Sequence, residues 1–277
     1  VNTITSIFTG NYAWMISKAA YDKNGEDWAR NNPVGTGPFM FESFQRDVNY
    51  KVVRNPDYWQ DGLPYLDGVE VQYIADPMTQ RAALEAGEAH MLQVEPAKTA
   101  KDLEALGFET YFNLITVYSL MPDTAHVDSP YADMKVREAV EYALDREGLA
   151  NALSYGFWQA TYQLPFPASP AYNPNFTLAR KFDIAKSRQL LAEAGHPQGF
   201  NTTILVNPSI VDRNIPVALQ SYLAAVGITA ELSFPANMGA FIGNTNSMNN
   251  ILVIQPIMGA ANYNSTWMFF LGENAMW

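Results

Sequence analysis

Carboxylates are the commonest groups here that could do chemistry: 28 of them, against three histidines and no cysteine. Two carboxylates at a fixed separation can act as acid and base on a glycosidic bond, but no spacing in this sequence selects a pair. His90, His126 and His196 are far apart and form no metal-ligand spacing, so each reads as structural or exposed. Without cysteine there is no thiolate zinc site and no disulfide framework. Neither a Gly-x-Ser-x-Gly elbow nor a Gly-x-x-x-x-Gly-Lys phosphate loop occurs. No catalytic residue, metal site or cofactor is therefore expected.

What remains is the chemistry of recognition. Residues 259–267 run Gly-Ala-Ala-Asn-Tyr-Asn-Ser-Thr-Trp. Tyr263 and Trp267 offer planes for stacking. Asn262 and Asn264 offer neutral amides, which cannot make the charge-assisted bond that an ammonium group favours. Asn and Ser are also ordinary turn formers, so the same loop reads as turn chemistry. Trp158, beside the loop Pro165-Phe166-Pro167-Ala168-Ser169-Pro170, either touches a ligand or packs that loop. Arg213, within Val211-Asp212-Arg213-Asn214, stands beside Asp212 and can pair with it. Tyr118, in the apolar run 114–120, completes the candidate ligand-binding set.

Composition narrows the classes of function. The 277 residues are enough for two domains, and 48% hydrophobic content is enough for a large core. A formal charge of −11 argues against the basic face that nucleic acid requires. It equally argues against a polybasic membrane patch. No apolar run approaches the roughly 20 residues that span a bilayer, and residues 1–5 do not look like an export signal.

The elements that must position these residues alternate between strand and helix. A short helix or extended piece is expected within 1–31. Strands at 39–46 and 50–53 flank an Asp-Val-Asn turn, and 69–74 alternates as a half-buried strand. Asp76-Pro77 opens a helix that Gly87 ends. A helix over 97–106 stops at Gly107, and 108–112 and 114–120 read as strands. The clearest helix is 133–147, where Val136, Ala139, Val140, Ala143 and Leu144 form one apolar stripe and Asp133 caps the start. Asp183 caps a helix over 183–194. Residues 201–206, 214–226 and 228–234 read as one β-α-β unit. A weak helix begins near 240, 251–255 reads as a strand buried on both sides, and 262–271 reads as a loop and helix start. Tyr58 and Trp59 read as a core anchor, with ligand stacking as the alternative.

Several stretches occur in a fixed order. Val34-Gly35-Thr36-Gly37-Pro38-Phe39 is followed by Arg54-Asn55-Pro56-Asp57-Tyr58-Trp59, then Pro64-Tyr65-Leu66-Asp67, then Ala86-Gly87-Glu88-Ala89. Further on come Lys135-Val136-Arg137-Glu138-Ala139 with Tyr142-Ala143-Leu144-Asp145-Arg146, and Leu190-Leu191-Ala192-Glu193-Ala194-Gly195. In this order they resemble the extracytoplasmic solute-binding proteins, family 5, of ABC importers, the oligopeptide-, dipeptide- and nickel-binding type. The likeness covers nearly the whole chain, with His90 near the family's usual Asp and Ile184 in place of a Pro.

The resemblance implies an α/β fold of the two-lobed periplasmic-binding-protein type, with this chain an internal fragment of it. Part of lobe I is expected in 1–112, the hinge crossing in 113–122 and most of lobe III in 123–277. The implied function is capture of a peptide or similar small solute between two lobes and its delivery to a membrane permease. The implied state is a monomer at the periplasmic or outer face of the membrane, with any signal or lipid anchor outside this chain. In peptide-binding relatives an acid in the loop after the last strand holds the peptide's amino group. Asn262 and Asn264 stand there instead, which favours an uncharged ligand such as an oligosaccharide. An Arg before the lobe-III helix holds the carboxylate in dipeptide-binding relatives, and Arg213 lies in that loop at a different offset. Sparse histidine makes nickel or haem the less favoured ligands. A carbohydrate-active enzyme and a surface receptor or adhesin of the same fold are the alternatives from other classes.

Overall fold

The computed structural model describes residues 15–93, 97–112, 114, 116–167, 169–176, 180–207 and 211–258. The architecture is α/β, in two compact units, Val1–Gln93 and Val94–Trp277.

The first unit carries two short helices, α1 (Lys18–Asn24) and α2 (Glu26–Ala29), then an antiparallel meander of β1 (Phe39–Gln45), β2 (Asn49–Arg54) and β3 (Gly68–Gln72), then α3 (Pro77–Glu85). The meander is two-faced because of one irregularity. Phe41 pairs with Val52 and Phe44 with Tyr50, with a register shift between Phe41 and Ser43. Three residues on β1 thus match two on β2, which returns Phe44 to the face of Phe41. Val69 and Val71 extend that apolar face, while Lys51 and Glu70 pair on the other at 3.1 Å. Trp59 is 72% exposed and meets Tyr58 at 5.7 Å, so it is not the core anchor that the sequence suggested.

The second unit holds the main core. Its elements are α4 (Ala97–Ala105), β4 (Thr116–Pro122), a short 3-10 turn (Pro130–Ala132), α5 (Met134–Ala143), α6 (Arg146–Ser154), α7 (Ile184–Glu193), β5 (Asn201–Val206), α8 (Asn214–Ala224), β6 (Thr229–Ser233), α9 (Met238–Ser247) and β7 (Ile251–Met258). The sheet order is β4-β7-β5-β6. Strands β5, β6 and β7 are mutually parallel, and β4 runs antiparallel to β7.

Two expectations fail for local reasons. The helix expected over 133–147 is two helices, because Leu144 leaves helical geometry and Asp145 caps α6 by accepting the Gly148 N–H at 2.8 Å. An apolar stripe reports which residues face the core, but a carboxylate satisfying the first N–H groups starts a new helix. Residues 108–112 form no strand: Gly107 reverses the chain at φ 91°, and the apolar Tyr111 and Phe112 are exposed.

Strand β7 is buried on both faces, as its composition suggested. Leu252 and Ile254 enter the main cluster with Ile204, Val206, Val136 and Leu223. Ile251 and Val253 enter a second cluster with Leu205 and Phe241 of α9. Burying each such side chain contributes on the order of 1.5–3 kcal/mol. A glycine contact sets the parallel strands in register. Gly199, at φ 75°, lies so close to Gly227 that any Cβ would fall 1.9 Å from the Gly227 carbonyl oxygen, so the turns entering β5 and β6 touch backbone to backbone.

The start of β7 is tied to the end of β4 by Asp123. Its carboxylate accepts the Asn250 N–H at 2.9 Å, the His126 N–H at 3.3 Å and the His126 Nδ1 proton at 2.9 Å, and its side chain is 6% exposed. Asn250 adopts φ 55°, donates Nδ2 to the Asn201 carbonyl at 2.6 Å and accepts the Thr202 hydroxyl at 2.9 Å, so one residue joins β4, β5 and β7. Burial alone would push the Asp123 carboxyl up, but the bonds from His126 and Asn250 outweigh it and hold it below the usual carboxylate range. A lowered folded pKa contributes stability that is complete above the unfolded value, about 4, and lost as pH falls through the folded one. Asp123→Asn is therefore expected to lower stability by about 1–3 kcal/mol at neutral pH and to flatten the loss of stability below pH ~4. Urea unfolding of both proteins from pH 7 to pH 3 tests this, and parallel pH profiles would remove the role given to Asp123.

Candidate ligand-binding site

The topology sends the candidate residues of the second unit to one edge of its sheet. Because β5, β6 and β7 are parallel and β4 opposes them, the carboxyl ends of those three strands and the amino end of β4 share an edge. Open α/β sheets bind ligands at the carboxyl ends of their strands. Tyr118 is the third residue of β4, Asn207 follows β5 directly, and Phe234 follows β6 directly. Arg213 lies on the connection that leaves β5 for α8.

Tyr118 and Trp158 come together. Their ring centroids are 5.9 Å apart with planes tilted by 43°. Tyr118 is 37% exposed, whereas Trp158 is half-buried against the main core. The register explains why Tyr118 stands clear. Asp123 N–H donates to the Ile251 carbonyl, and antiparallel pairs alternate between bonded and non-bonded. Counting back along the register, Tyr118 and Pro256 fall in a non-bonded pair. There the missing proline N–H costs the β4–β7 ladder nothing, and paired side chains lie closest. On its other side β7 pairs with β5 only as far as Val206 and Ile254, so Pro256 lies just past the end of that ladder.

Arg213 is exposed and its guanidinium lies over the Phe234 ring, 5.1 Å from the centroid. Among the described residues it forms no ion pair with Asp212, whose carboxylate accepts the Asn214 N–H at 2.8 Å instead. A guanidinium stacked on a ring keeps its in-plane donors available for a carboxylate. Tyr118 and Trp158 are thus brought together, and Arg213 is held with Phe234 on the far side of the sheet order. Asn262, Tyr263, Asn264 and Trp267 follow β7 in sequence and lie outside the described residues.

Sequence reasoning missed Phe234 and Asn207. Asn207 is 1% exposed, and its Nδ2 donates toward the Met238 sulfur at 3.4 Å. The available signal was an amide ending the apolar run Ile204-Leu205-Val206, since a buried polar side chain requires partners. Among the described residues no group of three or more His, Cys, Asp or Glu side chains could hold a metal ion, and no helix is long and apolar enough to cross a membrane.

The description "Bacterial extracellular solute-binding proteins, family 5 Middle" matches residues 3–270. The chain belongs to that family. Curated relatives include the glutathione-binding protein GsiB of Salmonella typhi, 33% identical over 229 residues, which are 79% of this chain and 42% of the relative. GsiB of Escherichia coli O157:H7 is 34% identical over the same shares. The fold is that of the periplasmic binding protein DppA from Helicobacter pylori, solved with the peptide STSA. It matches with a TM-score of 0.72 and 24% identity, over 95% of this chain and 52% of DppA. MoaA from A. tumefaciens R10, solved with mannopinic acid, matches with a TM-score of 0.72 and 21% identity, over 98% of this chain and 55% of MoaA. The chain therefore spans about two fifths of these curated relatives and about half of these solved chains. The relatives are binding proteins rather than enzymes.

Aromatic pairs contribute about 0.5–1.5 kcal/mol beyond the area they bury. A double-mutant cycle of Tyr118→Phe, Tyr118→Ala and Trp158→Ala, read by urea unfolding, is expected to give a coupling of that size between rings 118 and 158. Phenylalanine at 118 should retain it, because the contact is between rings. A coupling within error of zero would mean that the two rings are neighbours without interaction.

Proposed function

We propose that this chain is part of the substrate-binding component of an ABC importer, capturing a peptide outside the cytoplasmic membrane and handing it to the membrane permease. Family membership over residues 3–270 carries the reading. It is supported by the glutathione-binding relatives and by DppA, solved with the peptide STSA, and by an aromatic pair and a stacked guanidinium at the strands' carboxyl edge. No covalent step is required, so the protein works as a binder and not as an enzyme. A ligand that binds one conformation better than another shifts their populations by its differential affinity. In this reading residues 1–112 belong to one lobe, 113–122 to the crossing and 123–277 to the other lobe. The protein acts as a monomer in the periplasm or at the outer face of the membrane.

Each candidate residue has a chemical role. Tyr118 supplies an aromatic wall for apolar side chains of the ligand. Arg213, pre-oriented by Phe234, meets a carboxylate. Asn262 and Asn264 supply neutral hydrogen bonds, and Tyr263 and Trp267 supply further stacking planes. Because neutral amides stand where an ammonium would seek an acid, ligands whose amino end is blocked or not clamped fit this set best. Glutathione, bound by the GsiB relatives, is the first compound to test, and the free ammonium on its γ-glutamyl residue challenges the amide reading directly.

The test is thermal unfolding and calorimetric titration of the protein at its full natural length. Reduced glutathione, tetra-alanine, N-acetyl-tetra-alanine and maltotetraose are the probes. A probe that binds only the native state at a hundredfold excess over Kd adds about 2.7 kcal/mol of stability. At least one peptide is expected to bind, with Arg213→Ala weakening it roughly tenfold or more, as loss of a charge-assisted bond implies. Binding of maltotetraose alone would replace the peptide reading by the oligosaccharide one.

A further inference from the structure

Residues 157 and 158 grip the chain at two places. The Phe157 ring meets the Phe112 ring edge-on, with centroids 5.5 Å apart and planes at 81°. Its neighbour Trp158 meets Tyr118 at 5.9 Å. Phe112 lies ahead of β4 and Tyr118 lies inside it, so two adjacent side chains hold points six residues apart.

The base of this grip is built to be rigid. Helix α6 ends at Ser154, which is fully buried. Tyr155 then takes left-handed geometry at φ 52°, and Gly156 follows at φ 98°. Ser154 fixes the reversal twice: its hydroxyl accepts the Gly156 N–H at 3.1 Å and its carbonyl accepts the Phe157 N–H at 3.0 Å. A side chain at position 156 would meet no neighbour within 4 Å, yet that φ is strained for any residue with a Cβ. Glycine is thus required there by backbone geometry and not by space. Trp158 is anchored in turn against the main core. Phe112 is 59% exposed, so burial alone does not hold it in place.

We infer that Phe157 and Trp158 form a positioning clasp, which holds Phe112 and Tyr118 from one turn and so sets the orientation in which Tyr118 meets its ligand. The inference rests on the ligand site proposed above. Trp158 is then a positioning residue that acts through Tyr118, and the turn Ser154-Tyr155-Gly156 is what aims it. One ring pair alone would leave Tyr118 free to pivot about that contact, whereas a second pair rising from the same turn opposes the pivot.

The experiment combines amide hydrogen exchange with binding of reduced glutathione and tetra-alanine, on the protein at full natural length. Phe157→Ala and Gly156→Ala are expected to speed exchange at residues 112–118 roughly tenfold, with β5 and β6 unchanged, as for a local opening. Gly156→Ala keeps both rings and perturbs only their aim. Trp158→Ala should do the same and weaken the bound probe about tenfold, while Trp158→Phe, which retains a ring, should recover most of both effects. Unchanged exchange at 112–118 in Phe157→Ala and Gly156→Ala would overturn the clasp. Faster exchange with unaltered affinity would reduce it to a structural contact and overturn its role in the site. If neither probe binds the unmutated protein, the ligand reading fails, and the exchange arm alone decides whether the clasp exists.

Discussion

The second unit depends on one strand buried on both faces. Strand β7 lies between β4 and β5, and its alternate residues enter two different apolar clusters. A strand in that position has no freedom of register, because a slip of one residue would exchange the contents of the two clusters. Polar anchoring adds to this. Asp123 and Asn250 join the end of β4, the start of β7 and the start of β5, with the Asp123 carboxylate itself well buried. Directional bonds of this kind specify a register more sharply than apolar contact alone.

The proposed site is a consequence of that register. Once Asp123 and Ile251 form a bonded pair, the alternation along the ladder puts Tyr118 opposite Pro256 in a non-bonded pair. Proline is tolerated there, and the Tyr118 ring projects where Trp158 can reach it. Parallel strands β5, β6 and β7 then bring Asn207, Arg213 and Phe234 to the same edge. The chemistry on that edge consists of rings, an amide and a stacked guanidinium. Groups of this kind suit the ligand recognition proposed for this family member.

Local chemistry decided much of the rest. Asp76, Asp133, Asp145 and Asp183 each accept an N–H from the first turn of a helix. Three of these caps were legible in the sequence, because an acid or amide preceding an apolar stripe is a start signal. Asp145 was not, because the stripe ending at Leu144 invites a reading straight through it. Similarly, 108–112 has the composition of a strand but takes part in no ladder. Strand formation needs a partner, and the sequence of one segment says nothing about whether a partner arrives.

Taken alone, the sequence determined the α/β class, the positions of most elements, the β-α-β unit of β5, α8 and β6, and the family. These follow from short-range periodicity, from caps and glycines, and from motifs whose order along the chain is itself informative. Only the tertiary structure decided that Tyr118 meets Trp158, that Phe112 meets Phe157, and that Arg213 stacks on Phe234 instead of pairing with Asp212. Each of the three contacts joins residues separated by 21 to 45 positions. The physical reason is the same in each case. Ring contacts have no sequence period, and which rings meet is fixed by strand register and by the turn after α6, both of which are set by distant packing.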